Sequence, residues 1–100
     1  SIGSVYQNWK KLEKAIENYL IGYKIQTSRD VFPFRLARCH ESLSEFNLAL
    51  KFFLESAEIR KGRLGQMDTA TIDAAENALR LAKYLKVEAT LPNWIRKLNN

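Results

Sequence analysis

Residues 35–63, RLARCHESLSEFNLALKFFLESAEIRKGR, lie over residues 1–29, SIGSVYQNWKKLEKAIENYLIGYKIQTSR, when the chain is shifted on itself by 34 residues. Gly3 then falls on Ala37, Ala15 on Ala49 and Gly22 on Ser56, small residue on small. Ile2 falls on Leu36, Tyr6 on His40, Tyr19 on Phe53 and Ile25 on Ile59, large on large. Two antiparallel helices approach closely only where small side chains sit at the crossing. Large rings such as Tyr6, Tyr19 and Phe53 then fill the space beside it at interior density. A helix pair built this way leaves one apolar face bare, and stacking the next pair buries it. The shift therefore predicts stacked antiparallel pairs, residues 1–8 against 10–26 and residues 31–43 against 45–61.

The rest of the chain reads as helix throughout. Apolar residues recur at three- and four-residue steps, and no segment alternates strictly. Trp9, Leu12, Ile16, Tyr19 and Tyr23 form one stripe, and Leu36, Cys39, His40 and Leu43 a second. Phe46, Leu50, Phe53, Leu54 and Ala57 form a third, and Ile72, Ala75, Leu79 and Ala82 a fourth. Thr27-Ser28-Arg29-Asp30 supplies polar cap residues, and Pro33 is tolerated in a first helical turn, where its missing N–H costs little. Ser44 is expected to cap the third helix through its hydroxyl. Gly62 and Gly65 are expected to break that helix, and Asp68 or Thr69 to start the fourth. A short last helix after Thr90-Leu91-Pro92 carries Leu91, Trp94, Ile95 and Leu98 on one side. Connections this short make neighbouring helices pack antiparallel.

The 34-residue period is that of the tetratricopeptide repeat, and the residues resemble that family's L-G-x2-Y…A-x3-F signature. Ile2-Gly3-Ser4-Val5-Tyr6 with Ala15 and Tyr19 fits it in the first copy. In the second, Leu36-Ala37-Arg38-Cys39-His40 departs by Ala for Gly and His for Tyr, and Ala49 with Phe53 restores the match. Glu58 to Gly65, followed by Asp68-Thr69-Ala70-Thr71, resembles the longer-looped repeats of the kinesin-light-chain type. The resemblance implies an all-α fold of antiparallel helix pairs, stacked as a short superhelical array with a C-terminal capping helix. Residues 1–29 would be a first repeat cut at its N-terminus, 30–63 a second, and 64–100 a degenerate third unit and cap, within one domain.

Composition narrows the function classes. Hydrophobic residues are 46% and charged residues 27%, a globular balance that argues against disorder. The single cysteine, Cys39, cannot form an internal disulfide, which points to a reducing compartment such as the cytoplasm. No apolar run is long enough to span a bilayer, so no membrane insertion is expected. The net charge of +5 suits anionic partners. It is spread along the chain, and the densest basic stretch, Arg60-Lys61-Gly62-Arg63, follows Glu55 and Glu58 and reads as a solvated surface. One histidine excludes a His-pair metal site, and Cys39 beside it is too little for zinc. No Gly-rich phosphate loop occurs, so no cofactor is expected.

Function must then come from a surface. In tetratricopeptide proteins the first helices of successive pairs line a concave groove that holds peptides. Carried over by position, that groove face is Ser4, Gln7 and Asn8 from the first copy. From the second it is Val31, Phe34, Arg35, Arg38, Glu41 and Ser42. Arg35 and Arg38 stand out, because guanidinium forks hold carboxylates bidentately. The expected partner is a protein or peptide segment, acidic or C-terminal, with a nucleic acid as the alternative; oligomeric state is left open. Arg35-Leu36-Ala37-Arg38-Cys39-His40 also resembles the catalytic motif of HEPN-type ribonucleases. There a His acts as general acid or base at the RNA 2′-OH while an Arg steadies phosphate charge. The repeat alignment instead puts His40 where a packing aromatic belongs, so no enzymatic activity is expected. A structural or oligomerisation domain is the third reading.

Overall fold

A computed structural model of the chain describes the backbone of residues 2–27 and 29–99 and the side chains of residues 8–27 and 29–98. Among these residues there are five α-helices and no strand: α1 (Ile2–Ile25), α2 (Val31–Ser42), α3 (Phe46–Leu64), α4 (Thr69–Tyr84) and α5 (Asn93–Arg96). Short 3-10 turns at Glu88–Thr90 and Lys97–Asn99 flank α5. The all-α expectation holds.

The expected turn near residue 9 does not form, because α1 is one helix of 24 residues. Residues 2–8 therefore do not fold back on 10–26, and residue 1 of the expected pair lies outside the described residues. The physical reason is local: Gln7-Asn8-Trp9-Lys10 contains neither Gly nor Pro, and the good helix formers Lys11, Leu12, Glu13, Lys14 and Ala15 follow directly. A lone Asn costs a helix too little to stop it.

The second expected pair does form. Asp30, just before α2, meets Ser56, Arg60 and Arg63 near the end of α3. His40, near the end of α2, meets Phe52 and Glu45 at the start of α3. The two helices are thus antiparallel. Ala37 and Ala49 are both fully buried, as the close approach of two helices requires, and Phe53 is 1% exposed beside them. Ala57, Ala74, Ala75, Ala78 and Ala82 are also fully buried and let α4 settle onto α3. That pair is antiparallel too: Phe46 packs edge-on against Tyr84, and Arg60 reaches Ala70. Leu91 and Ile95, 3% and 0% exposed, close the core from the C-terminal side. On the other flank α1 runs antiparallel to α2, with the Phe32 ring lying directly over Gly22, where a Cβ would clash with it.

The turns use chemistry other than expected. Ser44 does not cap α3. It takes φ 61° in the left-handed region, while its N–H donates to the Glu41 carbonyl and the Glu45 N–H donates to the His40 carbonyl. These two bonds form a Schellman motif that satisfies the last carbonyls of α2. The end of α4 repeats it, with Lys86 at φ 61°, its N–H on the Lys83 carbonyl and the Val87 N–H on the Ala82 carbonyl. Gly62 stays helical, and the break falls at Gly65, whose φ of 95° suits glycine. Asp68 caps α4, its side chain accepting from the Ala70 N–H at 2.9 Å.

Phe53→Ala should lower stability by about 3–5 kcal/mol through lost transfer energy and a cavity. Ala49→Leu should cost about 1–3 kcal/mol by overpacking the α2–α3 crossing. Urea melts followed by circular dichroism measure both. Midpoints equal to wild type would mean that this crossing is not the core.

Candidate functional site

The cleft between α2 and α4 collects half of the groove face expected on α2. Phe34, Arg38 and Glu41 line it together with Phe53 from α3 and Asp73, Asn77 and Arg80 from α4, around a volume of about 270 Å³. Positions 34, 38 and 41 are spaced like 73, 77 and 80, and each lies 39 residues from its counterpart, as Glu41 does from Arg80. Steps of four and then three residues keep side chains on one helix face. Two helices thus bring equivalent rows to one cleft.

Phe34 lies half-buried at the base, edge-on to Phe53 with ring centroids 5.4 Å apart. Arg80 spans the cleft as a fork, its two terminal nitrogens 2.8 and 3.0 Å from the two carboxylate oxygens of Glu41. It also donates to the Asn77 side-chain oxygen at 3.1 Å. Such bidentate pairing fixes the guanidinium plane. The pair is half-exposed, so its worth is positional more than energetic. Arg38 is exposed, and no side-chain partner engages its guanidinium among the described residues.

The remaining expected residues divide. Arg35 does not join Arg38: its guanidinium carbon lies 5.7 Å from the Tyr19 ring centroid, towards α1. The two arginines are three residues apart but engage different neighbours. Val31 borders a separate surface depression with Arg29, Asp30, Glu58, Ile59, Gly62 and Arg63. Ser42 turns its hydroxyl back to donate to the Arg38 carbonyl at 3.0 Å. Asn8 is exposed on α1, and the side chains of Ser4 and Gln7 lie outside the described residues. Arg80, Asp73 and Asn77 were not anticipated from sequence. A 34-residue shift does not reach them, because α3 continues to Leu64 and a loop delays α4; the 39-residue spacing is the signal that finds them.

His40 faces away from this cleft. It is 9% exposed, stacked on Phe52 with ring centroids 5.6 Å apart and planes 10° from parallel, and its Nδ1 lies 3.1 Å from a Glu45 oxygen. The Arg35 guanidinium lies over Tyr19 instead, so the two side chains of the ribonuclease-like motif do not converge on one point. Burial pushes the Cys39 thiol above its ordinary range, partly offset by Arg38, and leaves it a weak nucleophile. No group of three or more His, Cys, Asp or Glu residues that could hold a metal occurs among the described residues. No described helix is long and apolar enough to cross a membrane.

The cleft is held by Arg60, which was read from sequence as a solvated surface residue but has only 12% of its side chain exposed. Its Nε donates to Asp30 at 2.7 Å and its Nη1 to the Ala70 carbonyl at 2.8 Å. Its guanidinium carbon stands 4.3 Å above the Phe34 ring centroid. Arg63 adds a second bond to Asp30 at 2.9 Å. Burial works to raise the Asp30 pKa, but the Arg60 hydrogen bond and charge, with help from a backbone hydrogen bond and Arg63, hold it below the ordinary 3.8.

A carboxyl with a depressed folded pKa stabilises the fold above its unfolded value, and that stabilisation is lost as pH falls through the folded one. Melting temperature should therefore fall as the solution is acidified below about pH 4. Asp30→Asn should be less stable than wild type at pH 7 and should lose less on acidification. Parallel acid profiles for the two proteins would remove Asp30 from the account. Comparison with protein-family models, with curated proteins and with solved structures finds no match to this chain.

Proposed function

We propose that the chain is a protein-interaction module, a short tetratricopeptide-like array that holds a segment of a partner protein in the α2–α4 cleft. The observation that carries this reading is the convergence of Phe34, Arg38 and Glu41 with Asp73, Asn77 and Arg80 on one concavity. Side-by-side first helices of successive units present such matched rows in peptide-holding repeats. The cleft, at about 270 Å³, is smaller than an ordinary small-molecule site and suits one side chain or a chain end of a longer segment.

The chemistry of the walls selects that group. Arg38 is a guanidinium with open donors, and Arg80 stands across from it with its fork directed at Glu41. A carboxylate entering the cleft meets both cations, and the aromatic base of Phe34 and Phe53 receives the carbon atoms that precede it. Glu41 and Asp73 keep the cleft from being uniformly basic, which disfavours a polyanion such as RNA relative to a single carboxylate. The site therefore takes an acidic or C-terminal peptide segment. In this reading the chain works in a reducing compartment such as the cytoplasm, where Cys39 remains a thiol.

Fluorescence anisotropy with labelled peptides, each with either a free or an amidated C-terminus, tests the proposal. Binding should weaken about tenfold in Arg38→Ala, the scale of one lost charge-assisted contact. It should also weaken as salt is raised, because exposed charges are screened within about 8 Å at physiological ionic strength. Arg35→Ala should leave affinity unchanged. Peptide binding indifferent to Arg38, or binding of RNA with no binding of any acidic peptide, would refute it.

A further inference from the structure

A second concavity lies between α1 and α3. Tyr23 and Lys24 at the end of α1, Thr27 in the turn after it, and Leu54, Glu55, Glu58 and Ile59 on α3 line an open slot of about 700 Å³ with an almost wholly apolar lining. It shares none of these residues with the α2–α4 cleft. Leu54 and Ile59 are half-buried in it, so aliphatic surface faces water there.

Two carboxylates stand at its α3 edge, one turn apart, and both are held by neutral donors. The Tyr23 hydroxyl donates to Glu55 at 2.6 Å, and the Trp94 indole N–H donates to Glu58 at 3.0 Å. The Glu55 hydrogen bond, then burial and the Glu55 charge, push the Tyr23 pKa up to about 12, so the phenol remains a donor at neutral pH. Asp30 and Glu41, by contrast, are neutralised by arginines. Lys24 on the opposite wall makes no ion pair with Glu55 or Glu58. Lys61, near Glu58 in sequence, is directed at the Trp94 ring, 5.1 Å from its centroid. Among the described residues, the slot edge thus carries fixed negative charge without a salt-bridge partner, in a chain whose net charge is +5. Charge complementarity at such an edge selects a cationic partner and sets its register, while the apolar floor supplies the burial.

We propose that this slot docks a basic segment of a partner protein, one large apolar side chain entering between Leu54 and Ile59 while a neighbouring arginine or lysine meets Glu55 and Glu58. An arginine is favoured, since its planar fork can address two carboxylates at once. The slot and the α2–α4 cleft then prefer opposite charges, and the module can hold two different segments.

The test uses the whole chain and a panel of eight-residue peptides. Each peptide carries one Leu, Ile, Phe or Trp flanked by arginine and lysine, with a matched set bearing glutamate in their place. Amide chemical shifts report where a peptide sits, and titration gives its affinity. The basic set should shift amides around residues 23–27 and 54–59, and the glutamate set should not. A Glu55→Gln, Glu58→Gln double variant should lose at least about tenfold in affinity for the basic peptides, the scale expected for losing close charge partners. Thr27→Trp, at an exposed position in the turn after α1, should block binding without lowering the melting temperature. Arg38→Ala should leave it intact, which separates this site from the cleft. The proposal fails if no basic peptide binds, or if glutamate peptides bind as well. It also fails if the double variant binds like wild type, or if sedimentation shows a second copy of the chain filling the slot.

Discussion

Arg60 joins three helices through one side chain. From α3 it donates to Asp30 at the start of α2 and to the Ala70 carbonyl in the first turn of α4, and its flat face covers Phe34. A guanidinium this far out of water is costly unless its donors and face are matched. Here the carboxylate supplies the opposing charge, the carbonyl a second acceptor and the ring a cation–π contact. Arg63 adds to the charge around Asp30 from outside. The arrangement pins the starts of α2 and α4 to the same turn of α3, and alanine packing along α3 then sets how closely each lies.

The α2–α4 cleft follows from that constraint. With α2 and α4 both anchored at their first turns, their outward rows run side by side, and Glu41 meets Arg80 further along the same pair of helices. Phe34 belongs to both systems, under Arg60 at one side and at the base of the cleft on the other. A disturbance at Arg60 should therefore reach the cleft through Phe34 without any change in the cleft's own polar residues. The α1–α3 slot depends on a different contact, Tyr23 edge-on to Phe52 with centroids 5.6 Å apart, and on the Tyr23–Glu55 hydrogen bond.

The α2–α3 hairpin was legible because small residues at a crossing and rings beside it leave a pattern in the sequence; Ala37, Ala49 and Phe53 occupy the places that pattern assigns. Four features were not legible. The continuity of α1 depends on the absence of a breaker, and the repeat match at Gly3 and Tyr6 masks that absence. The chain reversals at Ser44 and Lys86 use left-handed residues other than glycine or asparagine, so the usual turn signal is missing. The cleft's second wall was hidden because a period of 34 residues misses the row on α4 that lines it, which lies 39 residues on. Arg60 was hidden for another reason. Its neighbours Lys61, Gly62 and Arg63 look like a solvated charge run, and only tertiary packing tells which member of such a run turns inward.

The most direct measurement is the unfolding free energy of Arg60→Met, which keeps an unbranched apolar stem and removes the charge and donors. Urea titration followed by circular dichroism gives the value. If Arg60 anchors α2 and α4 to α3, the substitution costs about 3 kcal/mol, the scale of a buried pair broken on one side. A change below about 0.5 kcal/mol, the range of an ordinary surface substitution, would contradict the account.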